Sequence, residues 1–250
     1  NRSGESDART ARAAWDALAP HVELALDAGP GDVGQASTVV KVWDDAVEIL
    51  GRAMATFFVG DVHGCAAELE QLLEVAGCRA QADRLLLTGD AFSRGPDPAG
   101  VWRTVRDRGA QMVLGNHDAR LIAHLRQWLA GAPPTFRREH HQHTHAALAP
   151  VAGELLPWLE AVPLSVREPR FTLVHAGVHP VLGLAGTTRE QLLEIRLWPP
   201  RPGIAGPRWH ESYVPHVPLL IFGHDAPGGL VLRRRPDGRK FRTRRIPRAG

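Results

Sequence analysis

The apolar positions of this chain fall into two registers. Short unbroken apolar runs (Phe57-Phe58-Val59, Leu85-Leu86-Leu87, Met112-Val113-Leu114, Phe171-Thr172-Leu173-Val174 and Leu219-Leu220-Ile221-Phe222) read as buried strands, because alternation is lost when both faces of a strand are covered. Between them the spacing changes to that of helices. Leu69, Leu72, Leu73 and Ala76 share one face of a helix predicted over Ala66–Ala76, which Gly77 stops. A second helix is expected over Asp97–Arg108, entered through Gly95-Pro96-Asp97, and a third over Ala119–Leu129. Strand, helix, strand, helix implies right-handed crossovers and a largely parallel α/β core, whose ligands gather at the carboxyl ends of the strands.

The flanks differ from this middle. Residues 1–53 carry a helical pattern (Ala8–Leu18), a strand (Val22–Leu26), the turn Asp27-Ala28-Gly29-Pro30-Gly31 and a β-branched run from Ser37 to Val42. Gly131–Pro150 is rich in Pro, Arg and His, including His140, His141, His143 and His145. It reads as a cap whose histidines face solvent or substrate rather than as a metal cluster, since neighbouring histidines are expected to alternate direction. Trp158–Leu164 returns to packed structure.

Composition is that of an ordinary globular chain, 44% hydrophobic and 23% charged over 250 residues. The charge is lopsided. Residues 233–250 hold nine Lys or Arg against Asp237; taking that +8 from the total of +3 leaves −5 for the rest. The pI of 9.4 therefore describes a tail, and without interleaved aromatic residues nucleic acid is not an expected partner. No apolar run approaches the ~20 residues of a membrane span. Cys65 and Cys78 offer no disulfide framework, which suits a reducing cytoplasm, the expected location.

The chemistry lies where the strands end. Phe57-Phe58-Val59 runs into Gly60-Asp61-Val62-His63-Gly64, where two glycines allow a sharp turn and Asp61 and His63 can face one cation. Alone, this could be a helix-capping Asp beside a satisfied polar His. But Thr88-Gly89-Asp90, Gly115-Asn116-His117-Asp118, His175-Ala176-Gly177 and Gly223-His224-Asp225 repeat the design. Two cations a few ångströms apart need a shared carboxylate between them, and Asp90 is the natural bridge.

In order and spacing these motifs resemble the calcineurin-like metallophosphoesterases, within them the phosphoprotein phosphatase branch with its GDxHG, GDxxxRG, GNH(E/D), HGG or HAG and a later lone His, over about Ala55–Leu232. The resemblance implies a central β-sandwich flanked by helices and a dinuclear metal site at strand carboxyl ends, in a domain spanning 54–232. It places Asp61, His63 and Asp90 on one metal and Asp90, Asn116, His175 and His224 on the other. The mixed nitrogen and oxygen donors suit Mn, Fe or Zn, with Mn favoured. His117 becomes the leaving-group acid, sent into the substrate space by an extended turn, and Arg94 a fork for phosphate oxygens. Arg196 and Arg208 are the candidates for a second phosphate-binding arginine.

Two departures matter. Phe92-Ser93-Arg94-Gly95 stands where protein phosphatases carry Val-Asp-Arg-Gly, so the Asp that would orient the acid histidine is missing, and Asp118 could share that task. Related diadenosine tetraphosphatases carry a neutral Asn there. Past Leu230-Val231-Leu232 the chain enters its basic tail where the family continues into a further strand and hairpin. Residues 1–53 resemble the C-terminal part of a YrdC-type threonylcarbamoyl-adenylate synthase, matching at Asn1, Ser3, Gly4, Leu26, Asp27, Gly29 and Ser37–Val40 and departing at Leu50-Gly51-Arg52. That likeness makes Asn1 and Ser37 vestigial nucleotide-site residues in a remnant α/β segment. The expected function is a phosphoester hydrolase with a two-metal-activated water, acting on a phosphorylated substrate in the manner of a bacterial serine/threonine phosphatase. Cleavage of dinucleoside polyphosphates is the close alternative, and a non-catalytic nucleotide- or RNA-binding remnant the reading of another class.

Overall fold

The computed structural model describes residues 54–225, except Pro133, Arg137, Gly203 and Ile204, and the backbone of two strands nearer the N-terminus. The chain divides into two units, 1–54 and 55–250. In the first, β1 (Val39–Trp43) and β2 (Ala46–Gly51) form an antiparallel hairpin. Asn1, Ser37, the helix and strand expected before residue 27, and the tail beyond Asp225 with Leu230–Leu232 lie outside the described residues.

The second unit holds two three-stranded sheets. β3 (Thr56–Val59), β4 (Arg84–Leu87) and β5 (Gln111–Met112) lie parallel in that order. In the other sheet β7 (Thr172–Val174) is central, antiparallel to β6 (Ser165–Arg167) and parallel to β8 (Leu220–Ile221). Leu86 and Val113 of the first sheet pack against Phe171 and Leu173 of the second, joined by Phe58 and Ile221. This dry seam makes the pair a sandwich. It also explains the unbroken apolar runs, since each strand buries one face in the seam and the other under helices.

Helices cover the outer face of the first sheet: α1 (Ala66–Val75), α2 (Pro98–Asp107), α3 (Asn116–Leu129), α4 (Glu139–Leu148) and α5 (Ala152–Ala161). Leu69 and Leu73 of α1, Val101 and Val105 of α2, Leu125 of α3, Leu148 of α4 and Leu155 and Leu159 of α5 meet in one core with Leu85 and Leu87. Each such leucine contributes ~1.5–3 kcal/mol when fully buried. α2 begins where Asp97 Oδ1 accepts the Gly100 N–H at 2.7 Å. Over the second sheet lie the short α6 (Arg189–Glu194) and Trp209, packed with Val174, Ala176 and Phe222.

Two expectations change. α3 begins at Asn116, not Ala119, because Gly115 is extended (φ −90°, ψ 165°) and the Asp118 carboxylate reaches back to its N–H at 3.2 Å. Asn116 and His117 therefore project from a helical first turn, and the extended turn proposed for His117 is replaced. The cap histidines lie on α4, whose periodicity brings His140 and His141 to one side and packs His145 against Trp128 and Phe136. The expected alternation of direction belongs to a strand and does not apply here.

Candidate active site

Because β3, β4, β5, β7 and β8 run parallel within their sheets, their carboxyl ends share one edge of the sandwich. The loops there are tied to each other by backbone. His63 N–H donates to Asp90 O at 2.9 Å, Gly64 N–H to Ala91 O at 2.8 Å, and Gly223 N–H to His175 O at 2.8 Å. The sheets are joined at the site itself. His175 Nδ1 lies 2.7 Å from Thr88 O and so donates to it, and the His224 N–H is shared between the two Asp61 oxygens at 3.0 and 3.1 Å. Thr88 Oγ1 donates to Asp61 as well, at 3.2 Å.

These bonds turn electron pairs inward. With its proton committed to Thr88 O, His175 presents Nε2 as a lone pair, and around that atom lie His224 Nδ1 at 3.1 Å, Asn116 Oδ1 at 3.4 Å and Asp90 Oδ2 at 3.6 Å. Asp61, His63 and Asp90 converge in the same way, with one ligand atom from each within 4.8 Å of the others. Asp90 belongs to both groups. It is 2% exposed, and its Oδ1 accepts the His117 N–H at 2.8 Å, leaving Oδ2 toward the cluster. Burial pushes the Asp90 carboxyl upward and holds the His63 imidazole low; burial and the neighbouring His175 hold His224 down to about 3. Neutral imidazoles and a carboxylate short of positive charge form a donor set that two divalent cations fit.

Glycines make room for it. A Cβ on Gly115 would collide with Asp90 Oδ1 and the Asp90 nitrogen, and one on Gly95 with the His63 carbonyl. Hence Gly follows β5 and follows Arg94.

The remaining predicted residues fall as follows. Arg94 Nη2 donates to His117 Nε2 at 2.7 Å, so the ring accepts there; burial and the Arg94 charge hold His117 down to about 3. Ser93 lies with its hydroxyl 3.5 Å from His63 Nδ1, beside a metal-ligand candidate rather than the acid candidate. Asp118 was expected to share in orienting His117. Its carboxylate instead accepts the N–H groups of Asp90 at 2.6 Å, Ala91 at 3.2 Å and Gly115 at 3.2 Å, which makes it the anchor of the Asp90 turn. Burial and the adjacent Asp90 push it up to about 8 while those N–H groups pull it back. The structure separates the two arginine candidates. Arg196 lines the cavity beside His117 and Arg208 does not, while both reach Asp225, Arg208 at 3.1 Å and Arg196 at 4.0 Å.

That cavity, about 670 Å³, opens beside Asn116 and His117. Arg94, Arg120, Arg138 and Arg196 line it, with His124, His140 and His141, and no carboxylate does among the described residues. Sequence reasoning missed Arg120 and Arg138. Arg120 lies one helical turn beyond His117, a spacing that puts both on one face, and that signal was readable. Arg138 needed the fold of the cap.

The family model for calcineurin-like phosphoesterases matches residues 54–241. Among curated proteins the chain is similar to the symmetrical bis(5'-nucleosyl)-tetraphosphatases of Pectobacterium carotovorum (51% identical over 72 residues, 28% of this chain and 26% of the relative) and Tolumonas auensis (53% over 72 residues, the same shares). These matches span about a quarter of the relatives' length. Among solved structures it is similar to a crystal structure described as a candidate diadenosine tetraphosphatase, with TM-score 0.57 and 28% identity over 72% of this chain and 79% of that one. The chain belongs to the calcineurin-like phosphoesterase family.

Proposed function

We propose that this hydrolase acts on dinucleoside polyphosphates, with diadenosine tetraphosphate as the representative substrate. The observation that carries the reading is the charge of the cavity: its described lining residues include four arginines and no carboxylate, which exceeds what a phosphomonoester dianion needs and matches a polyanion. The tetraphosphatase relatives support it, as does a neutral Ser93 where protein phosphatases carry Asp. Phosphopeptide hydrolysis, the first expectation from sequence, has less support.

In this mechanism Asp61, His63 and Asp90 would hold one divalent ion and Asp90, Asn116, His175 and His224 the other, with Mn the expected metal. The ions supply Lewis-acid neutralisation of phosphoryl charge and activation of water. The protein's own residues do the rest. Arg94 forks onto the phosphoryl oxygens, and in moving there it frees His117 Nε2 to take up a proton from solvent, which the ring then passes to the departing oxygen. Arg196 carries a second positive charge on the same wall.

The test is product analysis with Mn²⁺, presenting diadenosine tetraphosphate and a phosphoserine peptide side by side. Nucleotide products from the first at a higher kcat/KM are expected; turnover of the peptide alone would refute the proposal.

A further inference from the structure

We infer that Arg120 of α3, with Arg138, His140 and His141 of the cap, forms a leaving-group subsite that holds the phosphates beyond the scissile one. The inference deepens the polyphosphate reading and rests on it for the natural substrate, but its chemistry is recognition of a linear polyphosphate and is testable alone. Three observations carry it.

The first is position. His117 faces the departing oxygen, and the cap rings continue outward from it: ring centroids of His140 and His141 lie 6.5 and 6.2 Å from that of His117, and His124 lies 5.8 Å from His141. Whatever leaves past His117 leaves along this wall.

The second is the state of the donors. Among the described residues Arg120 pairs with Glu194, at 2.9 Å, and both side chains are about half exposed, so the pair is weak and exchangeable for a phosphate. His117 Nδ1 and His140 Nε2 are buried atoms with no hydrogen-bond partner among the described residues. A phosphate oxygen in the cavity would satisfy such atoms.

The third is the sign of the field. His117, His140 and His141 bring one ring nitrogen each within 4.8 Å of the others, a spacing that could also suit a metal ion. But Arg94 and Arg138 act on His140, and Arg120 and Arg138 on His141, and these same charges repel a cation and attract an anion. Burial holds both imidazoles low, His141 down to about 4 with His140, His124 and the arginines adding to it.

A polyphosphate leaving group also explains why a protein would build such a wall. An anhydride expels a group that is already a stable anion, so charge stabilisation by guanidinium counts for more than proton donation.

The experiment measures inhibition of p-nitrophenyl phosphate hydrolysis at fixed free Mn²⁺ by orthophosphate and by tripolyphosphate. Wild-type protein should bind tripolyphosphate about 10- to 100-fold more tightly than orthophosphate. Arg138→Ala and Arg120→Ala should each shrink that ratio about 10-fold, and Arg138→Lys should restore much of it. A ratio that stays at the wild-type value in both alanine variants overturns the subsite. Because the ratio is read without turnover of diadenosine tetraphosphate, its failure is distinct from failure of the substrate reading. Metal analysis of His140→Ala/His141→Ala closes the test: two ions per chain as in wild type are expected, and loss of a bound equivalent would make the cluster a metal site instead.

Discussion

Replacing Asp118 separates two roles that the sequence left merged. This carboxylate is 1% exposed, and its two oxygens take three backbone N–H groups, from Asp90, Ala91 and Gly115. Asp118→Ala would strand three buried donors. At ~1–3 kcal/mol for each unsatisfied group that loss rivals the whole stability of a domain. Asp118→Asn is the measurable variant. Its remaining carbonyl oxygen can still serve Asp90 and Gly115, while its amide NH₂ faces the Ala91 N–H, donor against donor, at a cost of ~2 kcal/mol. For a domain of this size that is a fall of ~4–8 °C in Tm. The Asp90 turn would loosen, so Mn²⁺ affinity should drop about 10- to 100-fold, as it does when groups that orient metal ligands are removed. Thermal melts, metal titration and rates on p-nitrophenyl and alkyl phosphates give the readouts. An anchor of the turn slows both substrates together and recovers with added metal. Wild-type metal affinity combined with selective slowing of the alkyl phosphate would refute the assignment and return Asp118 to orienting His117.

Asp90→Asn should abolish Mn-stimulated hydrolysis of p-nitrophenyl phosphate and reduce bound metal, because this side chain belongs to both ligand groups; retained activity would sink the shared-bridge role. His117→Asn should slow an alkyl phosphate far more than p-nitrophenyl phosphate, since general acid catalysis contributes ~10²–10⁴-fold only where the leaving group needs a proton. Metal content should hold at the wild-type value. Equal slowing with lost metal would make His117 a structural support.

The five strand ends were legible because each is a local statement: an apolar run that gives way within a few residues to a glycine and a donor side chain. Local patterns also gave the helices, to within a residue for α1 and α2, since Gly77 and Asp97 stop and start them by chemistry confined to one turn. What failed was long-range. α3 starts three residues early because Asp118 reaches back to Gly115 and the Asp90 loop lies against it, and nothing in residues 116–129 announces Asp90. The direction of His140 and His141 depends on the cap being helical, and α4 is only weakly amphipathic in sequence. Telling Arg196 from Arg208 required the cavity, which Arg196 lines and Arg208 does not, since Asp225 pairs with both in three dimensions.

The site residues also stand in a backbone conformation that the sequence did not suggest. His63, Asp90, Arg94 and His224 have φ of 52°, 52°, 76° and 68°, the left-handed region where side chains other than glycine are uncommon. Each such residue costs on the order of 1–3 kcal/mol and persists only where its surroundings over-determine it. Here they do so in pairs. His63 N–H is fixed by the Asp90 carbonyl, the Asp90 N–H by Asp118, the Gly95 N–H after Arg94 by the His63 carbonyl at 2.6 Å, and the His224 N–H by Asp61. Every strained turn is thus pinned by a group from another turn of the site, and one of the pins, His224 to Asp61, crosses from one sheet to the other, as does the separate bond from His175 to Thr88. The ligand geometry is consequently a property of the assembled sandwich: none of the four turns would hold its shape in an isolated hairpin, and the donor atoms reach their positions only as Leu86, Val113, Phe171 and Leu173 close the seam beneath them.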